Sequence, residues 1–131
     1  MKRIFIIMTM AIAVACGGKK ENTNSEEYAA QEDKPQAATS DQVAEGKTLV
    51  DGGDCKTCHH PTNKIIGPSH TDVAKKYEFT QANVKLLANK IIQGGQGVWG
   101  EIPMTAHPDI NVIDAEKMAR YVLSLDGEKE H

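Results

Sequence analysis

The chain is poor in aromatic residues and lacks a long apolar run. Phenylalanine, tyrosine and tryptophan together make up 5% of its 131 residues, so few large apolar side chains are available to build a core. The apolar run at residues 4–15 is shorter than the roughly 20 residues that a membrane-spanning helix needs. Runs of alternating β-branched and polar residues are also absent, which argues against a β-sheet protein.

The sequence also has few cysteines and no excess of positive charge. Its formal net charge is −3 at pH 7, and this becomes −5 when residues 1–15, with two basic and no acidic residues, are removed. Because nucleic-acid binding relies on lysine and arginine contacts to phosphate, no nucleic-acid partner is expected. Three cysteines leave one over after any disulfide pairing, so other uses of the thiols have to be considered.

The N-terminal 15 residues have the organisation of an export signal. Lys2 and Arg3 precede the apolar run, which ends in the sequence AVACG at 13–17. Small residues that lead into a cysteine resemble the lipobox of bacterial lipoproteins, in which the signal peptide is removed and the cysteine carries lipid. We therefore predict a signal peptide at 1–15, lipidation of Cys16 and a membrane-anchored lipoprotein. The alternative is an ordinary secretory signal, and either signal predicts export to the periplasm.

Three further segments follow the signal peptide. Residues 16–40 are polar and cannot bury enough apolar surface to fold, so we predict a lipidated N-terminus and a flexible linker there. Residues 41–127 are predicted to form one folded domain, and residues 128–131 a disordered tail. A domain this short has only a marginal apolar core unless a covalent or metallic group is added.

The folded segment shows helical patterns and predicts an all-α domain of about four helices. The first helix is expected at 42–50 and a short one at 71–77. Thr80 is a favourable N-cap for a third helix at 81–92, in which apolar residues recur with helical spacing. The fourth helix is expected at 112–125, after an asparagine cap, with Met118 and Tyr121 on its buried face.

The motif CKTCH at 55–59 is the most informative feature of the sequence. Two thiols three positions apart lie on one side of a helical turn, where each can add to a vinyl group of haem. The adjoining histidine can then bind the haem iron. A CxxC pair alone fits half a zinc site or a redox-active dithiol equally well. The histidine favours covalent haem, which would also supply the large apolar body that this aromatic-poor domain lacks.

The order of motifs along residues 42–125 resembles that of small class I bacterial cytochromes c. After the haem motif come IGP at 66–68, GVWGEIPM at 97–104 and a C-terminal amphipathic helix. The resemblance implies the small cytochrome c fold, with one covalent haem c attached through Cys55 and Cys58. It also implies a one-electron carrier rather than an enzyme.

The same resemblance implies roles for further residues. His59 matches the proximal iron ligand, and Pro68 matches the proline whose preceding loop offers a backbone carbonyl to the other ring nitrogen of that histidine. Met104 matches the sixth ligand, whose thioether favours ferrous iron and raises the reduction potential. Trp99 and Lys90 match residues that contact the haem propionates.

The sequence departs from the family pattern after Met104. The family continues with prolines and an asparagine that steadies the methionine sulfur, whereas this chain has His107 in that place. Two hypotheses follow: His107 donates a hydrogen bond to the Met104 sulfur, or it replaces Met104 as ligand under some conditions. His60, His70 and His131 have no motif support and are predicted to lie at the surface.

Two alternatives to the electron carrier stay open at this point. A peroxidase-like haem enzyme would need a displaceable sixth ligand in place of Met104. A structural zinc domain would use Cys55, Cys58 and two histidines such as His59 and His70.

For an electron carrier, the expected partners are redox proteins. A dehydrogenase or respiratory complex would be the donor, and an oxidase or reductase the acceptor. The lipid on Cys16 would attach the protein to the membrane. Although the domain is acidic overall, Lys56, Lys64 and Lys90 are candidates for a local basic docking rim.

Overall fold

The computed structural model describes residues 40–131, which contain four α-helices. These helices are α1 (Ser40–Gly52), α2 (His70–Lys76), α3 (Gln81–Gln93) and α4 (Val112–Leu123). Short 3-10 turns lie at Cys55–Thr57 and Ser124–Asp126. Within this part of the chain, β pairing is limited to an isolated bridge between Gly95 and Met104. The predicted all-α class with about four helices is therefore confirmed.

Side-chain caps account for the helix starts that the sequence predicted. Thr80 Oγ1 accepts a hydrogen bond of 3.3 Å from the backbone N–H of Asn83 at the start of α3. Asn111 Oδ1 accepts one of 3.0 Å from Asp114 at the start of α4. Helix α3 ends at Gly94, whose φ of 75° suits a residue without a Cβ atom. The observed helix bounds differ from the predicted ones by at most two residues.

Two groups of buried side chains hold the helices together. The first contains Phe79, Val84, Ala119 and Leu123 and joins α3 to α4. The second contains Val50, Met118 and Tyr121 and joins α1 to α4. The predicted core positions of Met118 and Tyr121 are confirmed, since these side chains are 3% and 9% exposed. No helix within residues 40–131 is long and apolar enough to cross a membrane.

Helices α1 and α4 are in close contact at Gly46. A Cβ atom at this position would lie 1.9 Å from the carbonyl oxygen of Lys117. A side chain of any size would force the two helices apart, so the crossing depends on glycine. Lys117 also bridges the two helices, because its Nζ lies 2.6 Å from a carboxylate oxygen of Glu45.

The C-terminal tail packs against the domain, and the prediction that it is disordered is wrong. Glu128 accepts a hydrogen bond of 2.9 Å from the backbone N–H of Phe79, and the backbone N–H of His131 donates to the Phe79 carbonyl at 3.1 Å. Glu130 forms an ion pair of 3.0 Å with Arg120, and its side chain is only 3% exposed. The local sequence is charged and therefore resembles a solvated tail. Its charged partner lies ten residues earlier, on α4.

Candidate haem-binding site

One cavity brings together residues from widely separated parts of the described domain. Its volume is about 600 Å³. The lining includes every site residue that was predicted within residues 40–131: Cys55, Cys58, His59, Pro68, Lys90, Trp99 and Met104. The predicted lipidation site, Cys16, lies outside the described residues.

Cys55 begins the 3-10 turn that follows α1, and Cys58 comes directly after the turn. The carbonyl of Cys55 accepts a hydrogen bond of 2.9 Å from the backbone N–H of His59, which winds the CKTCH motif into a tight turn. Both Cys55 and Cys58 are free thiols of intermediate exposure. Burial raises the pKa of the Cys55 thiol. The pair is thus placed on one wall of the cavity without a disulfide.

A backbone carbonyl group holds the imidazole of His59 in place. Its Nδ1 lies 2.8 Å from the carbonyl oxygen of Pro68. Because a carbonyl only accepts hydrogen bonds, Nδ1 carries the proton and Nε2 keeps its lone pair for a metal ion. Gly67 permits this approach, since a Cβ atom there would lie 2.6 Å from His59 Cε1. Nothing in the sequence marked this role of Gly67 beyond its place in the IGP motif.

Met104 is presented by the loop between α3 and α4. Its backbone exchanges two hydrogen bonds with Gly95, at 2.8 and 3.3 Å. Three residues further on, the backbone N–H of His107 donates to the carbonyls of Ile91 and Ile92 at the end of α3, each at 3.1 Å. These bonds fix the loop at both sides of Met104, so backbone pairing places the thioether on the cavity wall.

The imidazole of His107 also lines this cavity. Its Nδ1 lies 3.8 Å from Asp54 Oδ1, and Asp54 immediately precedes the CKTCH motif. The pair connects the loop that carries Met104 to the segment that carries the thiols. A hydrogen bond from His107 to the Met104 sulfur, and exchange of the two residues as ligands, both stay predictions.

Lys90 and Trp99 lie at the exposed edge of the cavity. The Lys90 side chain runs beside the backbone of Gly95, where a Cβ atom would lie 3.0 Å from Lys90 Nζ. Trp99 is 39% exposed, and the ammonium group of Lys76 lies 5.3 Å from its ring centroid in a cation–π contact. Trp99 is therefore not a core residue. The two lysines make this edge suitable for an anionic group.

His70 was predicted to lie at the surface, and this prediction is wrong. Its side chain is buried, with 6% exposed. The His70 ring stacks on the His59 ring, with centroids 5.4 Å apart, and meets the Tyr121 ring edge-on at 6.5 Å. Burial lowers the pKa of His70 to about 4. The surface predictions for His60 and His131 are confirmed.

The donor set fits a covalently attached haem better than it fits zinc. Among residues 40–131, no group of three or more histidine, cysteine, aspartate or glutamate side chains is placed to hold a metal ion. Two thiols, a histidine with a free Nε2 and a thioether do line one cavity, together with many apolar side chains. These donors are the ones that covalent haem requires. The fold and the site together define an all-α covalent-haem protein.

Comparisons with known proteins agree with this class. The Cytochrome c family model matches residues 43–126. Cytochrome c-552 of Hydrogenobacter thermophilus is 47% identical over 73 residues, which cover 54% of this chain and 71% of that protein. Cytochrome c-552 of Nitrosomonas europaea is 36% identical over 77 residues, covering 59% and 75%. The crystal structure of wild-type Nitrosomonas europaea cytochrome c552 matches with a TM-score of 0.57 and 35% identity, over 60% of this chain and 98% of that one.

The chain belongs to the cytochrome c family. It carries one covalently attached haem c and is a monohaem electron carrier, not an enzyme. It exchanges electrons with redox partner proteins. The predicted fold, function and cofactor are thus confirmed, and the peroxidase-like and zinc alternatives are set aside.

Proposed function

We propose that Cys55 and Cys58 would hold the haem through thioether bonds and that His59 and Met104 would bind its iron. One observation carries this assignment: the four side chains line the same cavity. Bound haem supplies the exchange of a single electron between ferrous and ferric iron. With a nitrogen and a sulfur ligand both bound, the iron would have no open position for a substrate, so the haem would supply electron transfer.

Pro68, Trp99 and Lys90 are proposed to orient the site. The Pro68 carbonyl keeps the proton of His59 on Nδ1, which fixes the tautomer and raises the basicity of Nε2. The positions of Lys90 and Trp99 at the exposed edge support contacts with the haem propionates. The ammonium group of Lys76, which packs on Trp99, adds positive charge beside this edge.

The rim of the cavity is the proposed docking surface for redox partners. Its exposed apolar side chains are Ile65, Ile66, Val98 and Ile102, with exposed fractions from 49% to 67%. Lys64 and Lys90 line the same cavity, and Lys56 lies on the neighbouring 3-10 turn. An apolar patch with flanking positive charge suits brief and electrostatically guided encounters. A dehydrogenase or respiratory complex is the proposed donor, and an oxidase or reductase the proposed acceptor.

Absorption spectra test the ligand assignment. In a host with c-type haem machinery, the wild-type protein should show the sharp reduced bands of covalent haem and, when oxidised, a weak far-red sulfur-to-iron band. Met104→Ala should abolish the far-red band. Met118→Ala is the matched control, since Met118 is a buried methionine of α4 that lines the same cavity. Retention of the far-red band in Met104→Ala would refute Met104 as ligand.

The lipid anchor is proposed from the sequence, because the residues concerned lie outside the described part of the chain. The basic residues at 2–3, the apolar run and the small residues before Cys16 support a signal peptide at 1–15 and lipidation of the cysteine. The predicted linker at 16–40 would then be a flexible tether, with a root-mean-square reach of roughly 25–30 Å, although its last residue, Ser40, begins α1. Such a tether would hold the domain near the membrane and leave it free to turn toward its partners.

Cell fractionation tests the anchor. Cys16→Ser should move the haem protein from the membrane to the soluble periplasmic fraction. Ala15→Gly keeps a small residue before the cysteine, so this control variant should stay with the membrane. Mass spectrometry of the mature N-terminus gives an independent readout. An unlipidated Cys16, or Cys16→Ser that remains in the membrane fraction, would refute the anchor.

A further inference from the structure

We propose that His70 is a positioning residue that sets the plane of the His59 imidazole. This inference rests on the proposed role of His59 as an iron ligand. His70 belongs to none of the motifs that define the site, yet its ring packs beside the ring of His59 in an offset stack. The centroids are 5.4 Å apart, and the ring planes differ by 24°.

The hydrogen bond to Pro68 does not by itself fix the orientation of His59. A single contact of 2.8 Å holds Nδ1 in place but allows the imidazole to tilt about the line that joins Nδ1 to the carbonyl oxygen. A flat ring packed on the imidazole face opposes that tilt by steric contact. Pro68 and His70 together therefore define both the direction and the plane of the ligand ring.

His70 is itself held firmly enough to act in this way. It is the first residue of α2, whose N-cap Ser69 accepts a hydrogen bond of 3.0 Å from Asp72. Its backbone N–H donates to the carbonyl of His60 at 3.1 Å, which ties it to the residue that follows His59. The Tyr121 ring packs edge-on against it at an angle of 76°. With 6% of its surface exposed, the ring has little freedom to move.

The polar atoms of His70 do not explain why a histidine is buried here. Its Nδ1 is buried and has no hydrogen-bond partner in the structure. A buried nitrogen without a partner is unfavourable, so the burial must be supported by contacts of the ring. The contact with His59 is the one that bears on function. A phenylalanine would preserve this stacked contact and remove the unpaired nitrogen.

The plane of an axial imidazole determines which iron d orbital mixes with its π system. A rotation of the ring therefore changes the distribution of unpaired spin over ferric haem. The proton NMR shifts of the four haem methyl groups report this distribution directly. They distinguish a positioning role from general stabilisation, because a loss of stability alone does not reorder the methyl shifts of the folded protein.

The test compares His70→Phe with His70→Leu in the holoprotein. Phenylalanine keeps a planar ring, whereas leucine fills space without one. We expect His70→Phe to retain the wild-type order of methyl shifts and to unfold at the same or a higher temperature. His70→Leu should change the order of the shifts. Val84→Ala is the control for stability, because Val84 is fully buried in the Phe79 group and does not line the cavity.

Two results would contradict the positioning role of His70. A wild-type shift order in His70→Leu overturns the proposal, and so does loss of covalent haem in both His70 variants, since a planar ring should suffice. If His70→Leu alone loses its haem, the order of the shifts is read from His70→Met, which also fills space without a planar ring, and a wild-type order there overturns the proposal. A failure of the ligand assignment itself would be seen separately, as a His59→Ala protein that keeps the wild-type low-spin spectrum.

Discussion

The two sides of the domain differ in how their apolar side chains are covered. On one side, the exposed fractions of Phe79, Val84 and Leu123 are 2%, 0% and 0%, because α3 and α4 pack directly against each other. Around the cavity, Val98 and Ile102 are 50% and 67% exposed. The first side is completed by the chain, whereas the second side leaves apolar side chains for the haem inside the cavity and for partner proteins at its rim.

This difference shows what the haem contributes to folding. A chain with 5% aromatic residues forms one well-packed side from helix contacts. The other side consists of loops that line a cavity of about 600 Å³. Removing a group of that size from water by packing it against apolar side chains is strongly favourable. The cofactor should therefore act as part of the core as well as the electron carrier.

Preventing haem attachment should have the largest effect. In a Cys55→Ser/Cys58→Ser protein, we expect loss of the cooperative thermal transition seen in the holoprotein, because the cavity side loses its apolar partner. Circular dichroism measures the transition, and hydrogen exchange shows which side opens first. Amides of α3 and α4 near Phe79 should stay protected longer than those of residues 97–104. Equal protection on both sides, or an unchanged melting temperature, would contradict the comparison.

The next largest effect is expected at the crossing of α1 and α4. Gly46→Ala places a Cβ atom 1.9 Å from the Lys117 carbonyl, and backbone cannot move aside as a side chain can. We expect a loss of roughly 2–4 kcal/mol in the free energy of unfolding. Gly52→Ala is the matched control in the same helix, since no atom lies within 4 Å of its added Cβ. Its stability should rise by about 0.5 kcal/mol, and equal losses in both variants would disprove the steric account.

A smaller effect is expected at the C-terminal tail. Glu130→Gln removes the charge that pairs with Arg120 at 3.0 Å, while Arg120 keeps its bonds to Glu116 and Gln81. We expect a loss of about 1–3 kcal/mol, measured by chemical denaturation of the holoprotein. Lys129→Gln is the control, because Lys129 is exposed and adjacent. If the two variants lose the same stability, the tail is not held by the Arg120 pair.

The smallest effect is expected on the exposed face of α1. The hydrogen bond from Lys47 holds the pKa of Asp51 below its usual range. A lowered carboxyl pKa contributes stability above the unfolded-state value and loses it as the pH falls through the folded-state value. NMR titration of Asp51 should show the lowered pKa, and Lys47→Ala should return it toward normal. Salt should screen the pair, and a pKa unaffected by Lys47→Ala would exclude this cause.

Features that depend on neighbours in sequence were predictable. Thr80 and Asn111 cap their helices through hydrogen bonds to residues three positions on, so the starts of α3 and α4 were visible in the pattern. The CKTCH motif is equally local, because its chemistry lies within one turn of the chain. The resemblance to cytochromes c added Pro68 and Met104, which the structure places on the same cavity.

The errors all concern partners that are distant along the chain. No local pattern in the sequence indicates that His70 is buried, and the packing of Tyr121 from α4 helps to enclose it. The charged tail was predicted to be disordered because its local composition is that of a solvated segment. Its Glu130 is instead held by Arg120, and its Glu128 by the backbone of Phe79.

The sequence by itself determined the haem-attachment motif and the starts of the helices, and its resemblance to cytochromes c determined the cofactor. The motif and the caps are local, because each residue in them acts within one or two turns of its partner. The tertiary structure alone decided the packing of the His70 ring on the His59 ring, the glycine contacts at positions 46 and 67, and the attachment of the tail. Each of these is a contact between segments brought together by folding, and the strength of such a contact depends on distance and burial.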